Sequence, residues 1–141
     1  MKGFTLLEIV ITTAILTILA GLGLVISINF YKSQSLTVER DTVVSLLRKA
    51  RGQALVNFNQ SAHGLYIDES QYIIFQGSSF AGRSVEFDQS FGKAPNINAS
   101  GLFEIVFSPL TATATASGTI DLTNNLSTST IFVNYEGGID W

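Results

Sequence analysis

From Ile9 to Tyr31 the chain runs 23 residues without a charged side chain, and nothing else in its 141 residues restricts the fold so strongly. As an α-helix rising 1.5 Å per residue, that run is about 34 Å long, slightly more than the hydrocarbon core of a bilayer. The expectation is a single membrane-spanning helix. From Ser33 onward polar and apolar residues alternate freely, and the length suits one modest core rather than two domains. Beyond Lys32, six Lys/Arg stand against ten Asp/Glu, a net charge of −4. On average such a surface repels a polyanion, which disfavours nucleic acid as a partner. The chain has no cysteine, so disulfide frameworks and thiolate metal sites are excluded.

The residues that open the run discriminate between kinds of apolar segment. An ordinary cleaved signal has a basic start, an uninterrupted apolar stretch and a small-residue exit. Here the basic part is only Met1-Lys2-Gly3, Glu8 interrupts the apolar stretch, and the exit offers Ile18-Leu19-Ala20 or Gly21-x-Gly23. A plain signal anchor accounts for the length but not for Glu8. A carboxylate at membrane depth costs several kcal/mol unless it is paired or near the surface. The simplest account of Glu8 alone is an interfacial position in the first helical turn, where the helix dipole favours negative charge.

Lys2-Gly3-Phe4-Thr5-Leu6-Leu7-Glu8 resembles the processing site of type IV prepilins and type II secretion pseudopilins. The resemblance implies cleavage by a prepilin peptidase between Gly3 and Phe4, with N-methylation of Phe4. Removal of the three-residue leader would leave an α-amino group with a pKa of about 8 before methylation, hence largely cationic. That cation lies one helical turn before Glu8. The resemblance makes Glu8 the assembly residue, neutralised by the amine of its own chain or of a neighbouring subunit. A buried pair of this kind adds little stability but can fix register. The organisation implied is a leader at 1–3, a transmembrane and assembly helix at 4–31, and an extracytoplasmic pilin-like domain at 32–141.

Within the span Thr13, Thr17 and Gly21 recur every four residues, a spacing that lets helices approach closely in lipid. Gly21 and Gly23 also soften the helix. Helical periodicity continues beyond the span through Leu36, Val43, Leu47, Ala50, Ala54 and Phe58, while Glu39, Arg40, Asp41, Arg48, Lys49 and Arg51 mostly populate the other side. The pattern predicts one helix from about Phe4 to about Asn57, its apolar face laid on a sheet. Short strands are predicted at His63–Ile67, Gln71–Phe75, Ser84–Phe87, Leu102–Ser108, Thr119–Leu122 and Thr130–Tyr135. Phe103, Ile105 and Phe107 alternate as in a half-buried strand. Ser90–Gly101 and Thr111–Ser117 read as irregular. The expected fold class is α+β: a long N-terminal helix packed on an antiparallel β-rich domain.

Leu46-Leu47-Arg48-Lys49-Ala50-Arg51-Gly52-Gln53-Ala54, Phe107-Ser108-Pro109 and Ile131-Phe132-Val133 followed by Gly137-Gly138 are similar to segments of the H-type minor pseudopilins and FimT-type minor pilins. The FimT-type proteins are associated with DNA binding through a basic C-terminal tail; here Gly137-Gly138-Ile139-Asp140-Trp141 carries an aspartate and no arginine. No catalytic pattern is present: His63 is the one histidine, and no nucleophile elbow, phosphate loop or metal-ligand spacing occurs. Asp121-Leu122-Thr123-Asn124-Asn125 offers oxygens to calcium but reads more simply as a turn. The sequence therefore implies no enzyme and no cofactor. It implies a structural subunit of a type IV pilus-like filament, with other pilin subunits, the peptidase and the inner membrane as partners. The alternatives from other classes are a ligand- or DNA-binding pilin and an unprocessed single-pass protein with an external binding domain.

Overall fold

The computed structural model describes residues 3–141 and, of these, every side chain but those of residues 23–32. Met1 and Lys2 of the expected leader lie outside the described residues. The contacts divide the chain into Met1–Gln34 and Ser35–Trp141.

The fold is α+β. One α-helix, α1 (Leu6–Leu55), is followed by eight strands: β1 (His63–Ile67), β2 (Gln71–Gln76), β3 (Gln89–Gly92), β4 (Asn98–Gly101), β5 (Glu104–Phe107), β6 (Gly118–Thr123), β7 (Thr128–Val133) and β8 (Ile139–Asp140). They form two four-stranded antiparallel sheets, ordered β3-β2-β1-β5 and β4-β6-β7-β8. The long helix follows from the absence of proline over its whole length and from the repeating apolar positions.

In the second unit one face of α1 supplies Leu36, Val43, Leu47, Ala50 and Ala54 to the core. They meet Leu65, Ile74, Ile105 and Phe107 of the first sheet and Ile120, Leu122, Ile131 and Val133 of the second. Each of the buried Val, Leu, Ile and Phe side chains among these contributes on the order of 1.5–3 kcal/mol of burial free energy. A smaller cluster of Ile73, Phe75 and Val106 lies under Phe80, which stacks on Tyr66 at 3.8 Å between ring centroids.

Several expectations are corrected. Phe58 does not extend the helical face: Asn57 and Asn59 take left-handed backbone angles, the chain turns, and Phe58 is exposed. Glu39 is on the buried side, not the solvent side. Ser84–Phe87 is not a strand but ends in a single 3-10 turn (Val85–Phe87). Its ends are drawn together by the Arg83–Asp88 ion pair at 2.8 Å, and Val85 and Phe87 are both exposed. Ser90–Gly101 is not wholly irregular. β3 gains its conformation from β2 (Ile73↔Ser90) and β4 from β6 (Ala99↔Leu122). β7 starts two residues earlier than expected and leaves Tyr135 outside, and β8 was not anticipated. Thr111–Ser117 is irregular apart from the bridge Phe107↔Ala114.

Candidate functional site

The residues that carry the sequence argument sit at the start of α1. The Thr5 hydroxyl accepts the Glu8 amide at 3.3 Å, so Thr5 caps one of the donors that a helix N-terminus leaves unpaired. With Glu8 three residues after Thr5, the pair also has the spacing of a capping box. Thr5 belongs to the motif read from the sequence, but its role as the helix cap emerges only from this geometry. Gly3 and Phe4 precede the helix in exposed positions, and Glu8 is exposed in its first turn. The geometry therefore leaves Gly3 and Phe4 exposed and the Glu8 carboxylate without a side-chain partner among the described residues.

Every large apolar side chain from Phe4 to Leu22 is exposed. Thr13 donates its hydroxyl to the Ile9 carbonyl at 2.9 Å, and Thr17 donates to the Thr13 carbonyl at 2.8 Å. Both hydroxyls are thus satisfied within the helix, which makes the surface compatible with apolar surroundings. A Cβ added at Gly21 would meet nothing within 4 Å. Thr13, Thr17 and Gly21 form an open, low-relief strip that packs against nothing among the described residues. Among those residues no helix is long and apolar enough to cross a membrane. The uncharged sequence run continues to Tyr31, and the side chains of residues 23–32 are not among those described.

Several polar groups of the second unit hold the fold. Glu39 is 7% exposed, and its Oε1 accepts the Tyr72 hydroxyl at 2.8 Å and the Ala94 amide at 3.1 Å. Burial, followed by the hydrogen bond and charge of Glu39, pushes the Tyr72 phenol well above its usual range. Of the basic cluster, Arg48 lies over the Trp141 ring at 4.2 Å, and Lys49 donates to Gln89 Oε1 at 2.6 Å. His63 is buried beside the helix exit, 3.0 Å from the Phe58 carbonyl, and burial lowers its pKa. Asn124 Oδ1 accepts the amides of Leu126 and Ser127, so the candidate calcium loop is closed by its own backbone. Among the described residues no cluster of three or more metal-ligating side chains occurs.

Comparison with protein-family models, with curated proteins and with solved structures returned no match.

Proposed function

We propose that the protein is a structural subunit, a minor pseudopilin or minor pilin, of a type IV pilus-like filament, most consistently one serving type II protein secretion. The observation that carries this reading is Gly3-Phe4-Thr5-Leu6-Leu7-Glu8 set at the open N-terminus of a helix whose apolar side chains to Leu22 are all exposed. Water cannot be the final environment of such a surface, since each exposed large aliphatic forgoes on the order of 1.5–3 kcal/mol of burial. Lipid and other helices of the same kind are the two environments that remove it. The precursor is then a single-pass inner-membrane protein, its N-terminus cytoplasmic, its pilin-like domain outside. After cleavage at Gly3 the helices pack in a filament core through the strip of Thr13, Thr17 and Gly21. The amine of Phe4 neutralises a Glu8 carboxylate, which sets the register of one subunit against the next.

The DNA-binding alternative has less support. Of the basic cluster Arg48, Lys49 and Arg51, the first contacts Trp141 and the second Gln89, and the net charge opposes DNA binding.

The test is the intact mass and N-terminal sequence of the protein recovered from membranes of cells that carry a prepilin peptidase, beside a Gly3→Leu control. A chain beginning at methylated Phe4, absent from the control, supports the proposal. A chain still beginning at Met1 refutes it and promotes the unprocessed membrane-anchored domain.

A further inference from the structure

Alternation along Phe103-x-Ile105-x-Phe107 places all three side chains on one face of a strand, yet only two obey it. Ile105 and Phe107 are fully buried, whereas Phe103 is 48% exposed. The cause is the passage from one sheet to the other. β4 ends at Gly101, whose φ of +91° and close approach to the Thr119 carbonyl exclude any side chain. Leu102 then donates its amide to Thr119, and Phe103 gives its carbonyl to the Ile67 amide at 2.8 Å before β5 begins. Phe103 is therefore tied by its carbonyl to the first sheet, its neighbour Leu102 by its amide to the second, while its ring stays half exposed.

That ring lines an open groove of about 690 Å³ with Tyr66, Asp68, Glu69, Lys93 and Asn98. The volume lies within the range of small-molecule sites. The walls are preformed: the Lys93 amide donates to the Ser70 carbonyl at 3.0 Å, and the Asp68 amide to the Gln71 carbonyl at 2.9 Å. Tyr66 is fixed from behind by its stack on Phe80.

We propose that this groove binds a neutral carbohydrate. Its polar groups are of three kinds: carboxylates of Asp68 and Glu69 that only accept, an ammonium of Lys93 that only donates, and an amide of Asn98 that does both. An anionic ligand would face the two carboxylates, and a cationic one the ammonium. A sugar ring carries no charge, and its hydroxyls donate and accept, so it suits acceptors and donors alike; Lys93 Nζ already donates to the Asp68 carbonyl at 3.4 Å and keeps two further protons for a ligand. Its C–H face covers the exposed Phe103 ring, removing apolar surface from water on both sides. Filament assembly plays no part in this argument, so its failure leaves the processing test at Gly3 untouched.

The experiment is a titration of the full-length chain, in micelles free of sugar headgroups, followed by backbone amide NMR. The probes are cello-, malto- and chito-oligosaccharides, with a heparin-derived oligosaccharide and a lysine-rich peptide as charged comparators. The expected result is saturable shifts at residues 66–69, 93, 98 and 103 with at least one neutral sugar and with neither comparator. Phe103→Ala and Asn98→Ala each weaken that binding by roughly tenfold, while amides elsewhere keep their positions. Absence of saturable shifts with all three neutral probes overturns the proposal. So does binding that survives Phe103→Ala unchanged, or displacement of the same amides by a charged comparator instead.

Discussion

The Tyr72 hydroxyl donates to Glu39 Oε1 at 2.8 Å, and this one bond ties the helix to the centre of the first sheet. The Ala94 amide shares the same oxygen, so the chain between β3 and β4 is fastened to the same point. Tyr72→Phe keeps the shape but leaves the buried carboxylate short of a donor, which is expected to cost about 1–3 kcal/mol. The check is the shift in the denaturant midpoint at unchanged slope. Because the folded phenol titrates above its unfolded value of 10.0, the folded state holds its proton where the unfolded state has released it. Stability is therefore expected to fall as pH rises through about 10, and Tyr72→Phe is expected to remove that part of the loss.

His63 gives the opposite edge of the pH range. Its folded pKa lies below 6.5, so between the two values the unfolded state binds more protons. The contribution is fully present above pH 6.5 and is lost as pH falls below it. Unfolding measured between pH 8 and pH 5 is expected to show this decline, with a flatter profile in His63→Gln.

Two glycines of similar appearance in the sequence should respond in opposite ways. A Cβ at Gly64 would lie 2.5 Å from the Phe75 ring and 2.7 Å from the Ile105 carbonyl oxygen. Gly64→Ala must push β1, β2 and β5 apart and is expected to cost at least about 1–3 kcal/mol. Gly52 is exposed within α1, with nothing within 4 Å of an added Cβ. Gly52→Ala is expected to stabilise by about 0.5–1 kcal/mol through reduced freedom of the unfolded chain and better helix propensity. Thermal unfolding of the two variants separates the effects by sign.

On the filament reading, Glu8→Leu separates processing from assembly. The Gly3–Phe4 bond is unaltered, so the leader should still be removed, while the amine of Phe4 loses its counter-charge. The expected outcome is a mature-length chain in the membrane fraction and its loss from sheared filaments. Normal incorporation of Glu8→Leu would count against the pairing.

Much of the architecture was open to local reading. Helix periodicity without proline located α1 to within two residues at either end. The Asp68-Glu69-Ser70 turn set between β-branched and aromatic runs located β1 and β2. The motif on which the proposed processing rests is likewise local, a run of adjacent residues from Lys2 to Glu8. What escaped was non-local. Gln89–Gly92 and Asn98–Gly101 have little strand propensity, and they are strands because β2 and β6 supply their hydrogen-bond partners. Glu39 looked like a solvent residue because only the fold brings Tyr72 and the Ala94 amide, 33 and 55 positions away, to its oxygen.

The sequence by itself therefore determined the long helix, its apolar first half, most of the strand positions and the motif on which function is proposed. Each depends on interactions between residues a few positions apart. The tertiary structure alone decided the partition of eight strands into two sheets, the burial of Glu39 and the exposure of Phe103. Those depend on pairings across tens of residues, where the register of one strand against another outweighs the preference of any single side chain.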